Sequence, residues 1–442
     1  MSRTIYALST SYVKSAIAVV RVSGEHAYDS LNLITKNKKF KPRNATFCNL
    51  YNFENDLIDQ ALVVCFPKSN SYTGECTVEY NIHGSIAVIK ELMSVLSECK
   101  NHYLAERGEF TKQALKNNKI DLIQSEGILD LINAETKKQK SQALNLLEGK
   151  ISNNYTAWSD DLKNILAYIE SNIDFSDQDI SEINTDELNI KLNKIKSDID
   201  KHLSNSKNIN PIRDGIHISL IGAPNVGKST LINYISNEDI AIVSSIAGTT
   251  RDIIKNHLDF KDYPIVIQDT AGIRDTDDII ELEGIKRSID KVKVSDINII
   301  ILDASNFIES YNSVSSFIDE RSLVIINKID SKQDINYKDY IKQDYLEVSI
   351  LNNKGMKEFS DKLYSIIQNI TQEVESSVVI NIRHKEVLTT CYEELNLAIK
   401  ENDDMIKSYH IRNSINCIGK ILGNFNIEEV LGIIFSQFCI GK

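Results

Sequence analysis

The feature that most constrains the fold is the stretch GAPNVGKST at residues 222–230. It follows the apolar run IHISLI, typical of a buried strand, and precedes LINYIS, which has the apolar spacing of a helix. The stretch matches G-x-x-x-x-G-K-[ST], in which glycines let backbone N–H groups surround phosphate oxygens. In this pattern Lys228 reaches the β- and γ-phosphates and Ser229 binds Mg²⁺. The sequence therefore predicts an α/β domain that binds a nucleotide.

The stretch NKID at residues 327–330 predicts that the base is guanine. It follows the apolar run SLVII. The carboxylate of Asp330 only accepts hydrogen bonds, so it can pair with the N1–H and amino donors of guanine. Adenine has no N1–H, and a site built for that pair rejects it. We expect Asn327 to join this loop to the phosphate loop, and the stem of Lys328 to cover one face of the base.

Between these motifs, DTAG at residues 269–272 completes the set that predicts a GTPase. We expect Asp269 to hold the Mg²⁺ shell and Gly272 to donate its N–H to the γ-phosphate. In Ras-like proteins the next residue is a glutamine that orients the attacking water. Here it is Ile273, whose side chain forms no hydrogen bond. Hydrolysis therefore needs another water-positioning group and another source of positive charge.

Length, charge and cysteine usage narrow the remaining classes. A chain of 442 residues is long enough for two or three domains. The formal net charge of −12 argues against a large nonspecific nucleic-acid surface, so such a partner must meet a local patch. The seven cysteines form no CxxC pair, the histidines lack zinc spacing, and no signal peptide or membrane-spanning run is evident. These features predict a cytoplasmic protein that contacts no membrane.

The sequence divides into three kinds of region by the pattern of its apolar residues. Residues 1–118 alternate short β-rich runs with helical stretches, which predicts an α+β domain. Residues 119–213 and 373–442 space their apolar residues three and four apart, which predicts one helical domain in two segments. Between them, residues 214–372 predict a parallel-rich sheet flanked by helices, inserted into the helical domain. The stretch SNSKNINPIRDG is expected to be a polar linker before the insertion.

The tetrapeptide CIGK occurs twice, at residues 417–420 and 439–442. The first copy lies in the apolar helix stripe of Ile411, Ile415, Ile418 and Leu422. Cys417 is therefore expected to be a partly buried packing residue. The second copy follows the stripe of Leu431, Phe435 and Phe438. We expect that helix to run to Gly441 and to release Cys439–Lys442 as a tip free of following structure, which leaves Cys439 as the candidate for chemistry.

Taken together, the motifs resemble the tRNA-modification GTPase family called MnmE or TrmE, in the TrmE-Era-EngA-YihA-Septin-like superfamily. The resemblance rests on GAPNVGKST, AIVSSIAGTTRDI, DTAGIRDTDDIIELEGI, NKID and the final CIGK, with SYTGECTVEYNIHGS and AERGEFTKQALKNNKIDLIQSEGILDLI outside the GTPase region. It implies a multidomain α/β plus α protein. Its parts are an N-terminal α+β folate-binding-like domain that dimerises, a helical bundle domain, and an inserted Ras-like P-loop GTPase (G) domain.

The resemblance also implies a function and partners. The expected activity is a K⁺-stimulated GTPase whose hydrolysis is coupled to G-domain dimerisation. The expected assembly is a homodimer that joins the FAD-dependent protein MnmG (GidA) in a heterotetramer, with FAD on the partner. The expected substrate is tRNA, whose wobble uridine receives a (carboxymethyl)aminomethyl group at C5. The implied folate is 5-formyl- or methylene-tetrahydrofolate.

Carried over residue by residue, the resemblance implies several functional sets. The GTP-binding set is Asn225, Val226, Gly227, Lys228, Ser229, Thr230, Ser244, Ser245, Ile246, Ala247, Gly248, Thr249, Thr250, Asp269, Thr270, Ala271, Gly272, Asn327, Lys328 and Asp330. The Mg²⁺ set is Ser229 and Thr250, and the K⁺ set is Asn225, Ser244, Ile246 and Thr249. Glu281 matches the glutamate that orients the attacking water, and Cys439 is the other catalytic candidate. The folate contacts are Arg21, Glu79, Lys119 and Lys442.

Several alternatives stay open. Glu281 and Lys119 are also compatible with solvated surface positions, and Arg21 with a surface ion pair. The basic stretches KNKKFKPR (36–43) and KKQK (137–140) favour solvated faces over contacts with tRNA phosphates. The stretch VSILNN keeps Ser349 near the guanine but has Ile350 where a small residue is common.

Two other classes of protein also remain. A ribosome-assembly GTPase should carry a basic RNA-binding domain. A folate-dependent one-carbon transferase would use GTP only for regulation.

Overall fold

The computed structural model describes residues 3–174, 185–205, 210–238, 256–269, 295–331, 335–371, 381–423 and 428–442. The chain forms two compact units. The first comprises residues 1–129, 146–168 and 412–442, and the second comprises residues 130–145 and 169–411. The three domain ranges inferred from the sequence remain a prediction.

The first unit contains a six-stranded sheet in the order β3-β4-β5-β2-β1-β6. Its strands are β1 (Thr4–Leu8), β2 (Ser15–Ser23), β3 (Thr46–Tyr51), β4 (Leu57–Phe66), β5 (Thr77–Gly84) and β6 (His102–Leu104). Neighbouring strands are antiparallel except β1 and β6. Alternate residues of β2, such as Ala18, Val20 and Val22, are fully buried, and they pack with residues of the helices Ala27–Ile34 (α1) and Ile86–Glu98 (α2). The other face of β2 carries Arg21, which positions this side chain outside the core.

Helices dominate the rest of the described chain outside the second sheet. In chain order they are α3 (Glu109–Lys116), α4 (Leu122–Asn133), α5 (Lys137–Leu147), α6 (Lys150–Asp174), α7 (Thr185–Asn205), α8 (Asn210–Asp214), α9 (Lys228–Glu238), α10 (Phe307–Val314), α11 (Met356–Thr371), α12 (Ile382–Lys400), α13 (Asp404–Leu422) and α14 (Glu428–Ser436). The expected polar linker therefore contains the short helix α8. No helix among the described residues is both long and apolar enough to cross a bilayer.

The second unit contains a six-stranded sheet in the order β12-β11-β10-β7-β9-β8. Its strands are β7 (Ile216–Ile221), β8 (Asn256–Phe260), β9 (Tyr263–Asp269), β10 (Ile297–Asp303), β11 (Ser322–Asn327) and β12 (Tyr345–Glu347). Five of them are mutually parallel, as the apolar runs predicted, because both faces of the sheet are covered. Strand β8 was not predicted. It is antiparallel to β9 across a tight turn in which Lys261 and Asp262 have positive φ.

Candidate functional site

The phosphate loop joins β7 to α9 and is shaped by close backbone approaches. A Cβ at Gly222 would lie 2.7 Å from the Ile301 carbonyl oxygen. Gly227 has φ +108°, and a Cβ there would lie 2.5 Å from Nδ2 of Asn327. Lys228 Nζ donates to the carbonyls of Gly222 and Ala223, at 2.6 and 3.2 Å. The ammonium group of Lys228 therefore lies at the start of the phosphate loop, where it can reach bound phosphate oxygens.

Asn327 connects this loop to two others. Its Nδ2 donates to the Val226 carbonyl at 2.7 Å, which is the link to the phosphate loop that we expect from the sequence. Its Oδ1 accepts the backbone N–H of Ile350 at 3.1 Å. The Ile350 side chain is buried, so the unusual residue packs into the core. One buried amide therefore fixes the phosphate loop, the NKID loop and the loop after β12.

The carboxylate of Asp330 is exposed and available to accept hydrogen bonds from a ligand. Its pKa lies below the ordinary aspartate value, chiefly because the Ser349 hydroxyl donates to its carboxylate, with further contributions from Asn352 and Lys354. The group therefore stays ionised at neutral pH, as pairing with the two donors of guanine requires.

Lys328 is held by a residue that the sequence analysis missed. Its Nζ donates to Asp303 Oδ2 at 2.6 Å. Burial raises the pKa of Asp303. The hydrogen bonds that its carboxylate accepts from Lys328 and Ser305 outweigh burial, so the pKa of Asp303 lies below the ordinary aspartate value. Asp303 ends β10 beside Asn327 of β11. The position of Asp303 at the carboxyl end of a parallel strand, next to the strand that ends in Asn327, is the sequence signal that could have identified it as a site residue.

Several expected residues of this site lie outside the described chain. They are Ser244, Ser245, Ile246, Ala247, Gly248, Thr249, Thr250, Thr270, Ala271, Gly272 and Glu281. Asp269 ends β9 in register with Leu220 of β7. Ser229 and Thr230 are exposed in the first turn of α9. The hydroxyl of Ser229 suits Mg²⁺, which prefers oxygen ligands.

A second polar cluster lies in the first unit. Arg21 and Glu79 are cross-strand neighbours of β2 and β5, and Nε and Nη2 of Arg21 lie 2.9 and 2.8 Å from Oε1 of Glu79. The guanidinium also lies 5.7 Å from the ring of Tyr72 and 5.6 Å from that of Phe110. Both aromatic residues were absent from the expected set, although each lies within a stretch that carries the family resemblance.

Lys442 belongs to the same cluster. Its pKa lies below the ordinary lysine value, first because of burial and then because of the positive charge of Arg21, while Cys439 and Glu79 act in the opposite direction. Arg21 and Glu79 thus contact each other, and their charges act on Lys442; these are three of the four residues expected to contact folate. The fourth, Lys119, donates to the Ser69 carbonyl at 2.7 Å, in the segment that leads to Tyr72.

The expectation of a free tip at residues 439–442 is wrong. Helix α14 ends at Ser436, before Gly441. Ile440 then forms an antiparallel bridge with Arg107, and Ser9 Oγ donates to the Gly441 carbonyl at 2.9 Å. Because these contacts join segments far apart in sequence, helix periodicity did not indicate them. Cys439 nevertheless remains exposed.

The expectation for the internal CIGK copy is confirmed. Cys417 is buried within α13, and the stripe of Ile411, Ile415, Ile418 and Leu422 is buried with it.

Replacing Gly441 with alanine should release the anchored segment. Gly441 has φ +100°, and a Cβ there would lie 2.2 Å from the Leu8 carbonyl oxygen. We expect this contact to cost about 1–3 kcal/mol of stability, which would lower the melting temperature of the variant. Gly432→Ala is the matched control, since a Cβ at Gly432 meets no atom within 4 Å. Equal melting temperatures of the two variants, measured side by side, would contradict this role of Gly441.

A lysine-bearing loop between a parallel strand and a helix, joined through Asn327 to an ionised aspartate, defines a class of protein. This class is the P-loop GTPases, here combined with an α+β sheet region and helices. The sequence profile of the MnmE helical domain matches residues 122–439, and that of the GTP-binding protein TrmE N-terminus matches residues 4–119. The chain belongs to the MnmE family of tRNA-modification GTPases.

Relatives match the whole chain. The tRNA modification GTPase MnmE of Rickettsia akari (strain Hartford) is 41% identical over 99% of this chain and 100% of its own length. That of Rickettsia bellii (strain OSU 85-389) is 42% identical over the same shares. The G domain of the T. maritima FeoB iron transporter covers 35% of this chain at 21% identity, with a TM-score of 0.28 that carries no weight here.

The family, the fold class and a GTP-hydrolysing activity in tRNA modification are thereby confirmed. The substrate is tRNA, and as a GTPase the chain binds nucleotide with Mg²⁺.

Proposed function

We propose that this GTPase is K⁺-stimulated and acts with an FAD-bound partner of the MnmG (GidA) type to add a (carboxymethyl)aminomethyl group to C5 of the wobble uridine. The observation that carries this proposal is the position of Cys439. The thiol of Cys439 is exposed, and the next residue, Ile440, is held by the bridge with Arg107. Cys439, Arg21 and Glu79 all affect the pKa of Lys442 electrostatically. The thiol therefore interacts electrostatically with a lysine on which the charges of Arg21 and Glu79 also act, and these charged groups suit an anionic cofactor.

The cluster fits a reduced folate, either 5-formyl- or methylene-tetrahydrofolate, by its chemistry. Arg21 and Lys442 supply the positive charge that the carboxylates of a glutamate tail require. Glu79 accepts hydrogen bonds from the donor edge of a pterin. Lys119 would add a further cation near the same loop. When bound, the folate would supply a one-carbon unit.

We also propose a homodimer formed through the sheet of the first unit, with G-domain pairing coupled to hydrolysis. Phe47 of β3 and Leu62 of β4 are cross-strand neighbours, and their side chains are 59% and 47% exposed. An exposed apolar pair on two neighbouring strands favours an interface. The partner flavoprotein would complete a heterotetramer.

In the nucleotide site, we propose that Asn225 binds K⁺ with the Ser244 and Ile246 carbonyls and Thr249, and that Thr250 joins Ser229 on Mg²⁺. Glu281 would orient the attacking water in place of the missing glutamine. The K⁺ charge would serve where other GTPases use an arginine.

Mass spectrometry of wobble nucleosides tests the modification. In tRNA from cells that lack this protein, we expect uridine with an unmodified C5, restored by the wild-type gene. Normal modification, with the partner intact and no redundant copy, would remove the proposal.

Asn225→Ala should remove K⁺ stimulation of GTP hydrolysis. Asn225 is exposed and has φ +61°, so alanine also strains the backbone there. Asn225→Gly is the matched variant, since it removes the amide without that strain. We expect both variants to hydrolyse GTP equally slowly in K⁺ and in Na⁺, measured at steady state. A preserved preference for K⁺ in the glycine variant would contradict the assignment.

A further inference from the structure

A groove of about 730 Å³ in the first unit is used neither by the nucleotide motifs nor by the Arg21–Glu79–Lys442 cluster. One wall is α3, and the opposite wall is α14, which contributes Leu431, Gly432 and Phe435. Four basic side chains line it: Arg3, Arg107, Lys112 and Lys116. The volume lies within the range of ligand sites, and the lining carries four basic and three acidic side chains.

Lys112 and Lys116 lie on one face of α3, because residues four apart in a helix are neighbours. The opposite face, with Phe110, Thr111 and Ala114, is buried in the protein. Within the described part of the chain, no hydrogen bond or ion pair engages either ammonium group. Two neighbouring cations therefore face the groove without a hydrogen-bond or ion-pair partner among the described residues.

Two of the three carboxylates that line the groove are paired with basic side chains. Glu109 accepts the backbone N–H of Glu106 at 2.7 Å and lies 4.0 Å from Arg3. Glu75 accepts from the side-chain amide of Asn117 at 3.2 Å and lies 3.4 Å from Lys68. Once these pairs are set aside, Glu106 alone opposes Arg107, Lys112 and Lys116. The groove is therefore locally positive in a chain of net charge −12.

The basic stretches that stand out in the sequence differ from this groove. Lys36 lies 3.6 Å from the Tyr51 ring, and Lys38 donates to the Phe47 carbonyl at 2.6 Å. Lys137 pairs with Asp262 at 3.2 Å, and Lys138 lies 5.2 Å from the Tyr263 ring. These contacts engage four lysines of the two stretches with other residues of the protein.

We propose that the groove between α3 and α14 binds the sugar–phosphate backbone of the tRNA substrate. Lysine ammonium groups bind phosphates as point charges, and adjacent lysines suit neighbouring phosphates of one strand. Arg107 lines the groove, and its backbone pairs with Ile440, the residue after Cys439. A tRNA strand bound in the groove would thus approach the exposed thiol of Cys439. The inference rests on the proposed function only for the nature of the substrate.

Equilibrium binding by the full-length protein tests this assignment. The probe is an in vitro transcript of a tRNA with uridine at the wobble position, titrated over a range of salt concentrations. For Lys112→Ala/Lys116→Ala we expect affinity to fall about tenfold and the slope of log K against log salt to weaken by about 1–2. The matched control, Lys39→Ala/Lys41→Ala, removes two exposed lysines of the same unit and should bind as the wild type does.

Two further experiments exclude simple structural damage. Lys112→Arg/Lys116→Arg should restore affinity, since arginine also binds phosphate. Gly432→Glu places a negative charge where a Cβ meets no atom within 4 Å, and Gly432→Gln is its neutral match. We expect only the glutamate variant to weaken tRNA binding.

The outcomes separate the two proposals. Unchanged affinity and salt slope in the Lys112/Lys116 variant, or equal losses in the Lys39/Lys41 control, would overturn the groove assignment alone. A wild-type protein that hydrolyses GTP yet binds no tRNA transcript would instead contradict the proposed function.

Discussion

Replacement of Cys439 by serine is expected to abolish tRNA modification while GTP hydrolysis continues at the wild-type rate. Serine keeps the size of the side chain but removes the thiol, which is the stronger nucleophile and the redox-active group. Cys439 is exposed, so the change disturbs little packing. The nucleotide motifs lie in the other compact unit, so hydrolysis should not depend on this sulfur. Nucleoside analysis of tRNA and a steady-state GTPase assay measure the two effects.

Cys417→Ser is the matched control for this experiment. It makes the same chemical change in the same tetrapeptide, but at a buried position of α13. We expect a modest loss of stability, on the order of 1 kcal/mol, and normal modification below the unfolding temperature. Loss of modification in both variants, with normal folding, would show that the sulfur of Cys439 has no special role.

Replacement of Asp330 by asparagine is expected to weaken GTP binding by roughly a hundredfold or more. A carboxylate accepts from both donors of guanine, whereas an amide offers one acceptor and turns an N–H₂ group towards the other donor. Each hydrogen bond to a charged group contributes about 1.5–3 kcal/mol. Xanthine carries a carbonyl where guanine carries its amino group, so the variant should gain relative affinity for xanthine nucleotides.

Competition binding with GTP, ATP and XTP measures this change in selectivity. Asp339→Asn provides the control, because Asp339 is an exposed aspartate of the same unit that contacts Asn336. Unaltered preference for GTP over XTP in the Asp330 variant would rule out its assigned role in base recognition.

The described part of the nucleotide site is predictable from the sequence because its signals are local. Each parallel strand from β7 to β11 is apolar on both faces, and each motif directly follows its strand. Asp303, the partner of Lys328, follows from the same logic, since adjacent strands end at the same edge of the sheet. Strand β8 was not predicted because its alternation, with Leu258 and Phe260 buried, extends over five residues and gives too short a signal.

The other features depend on contacts that join distant parts of the chain. The hydrogen bond from Ser9 to Gly441 spans 432 positions. The spacing of Lys112 and Lys116 is visible in the sequence, but the wall that faces them comes from residues 431–436. Helix and strand periods describe one element at a time and therefore do not indicate which surfaces meet.

The anchored segment after α14 has a consequence for tolerance to substitution. Cys439 and Ile440 are exposed, whereas Phe438 and Gly441 on either side are buried. On packing grounds alone, saturation mutagenesis should accept many residues at 439 and few at 438 or 441. Intolerance at 438 and 441 would then report folding, while intolerance at 439 would report chemistry. A single mutational scan of four adjacent positions thus separates the two kinds of constraint.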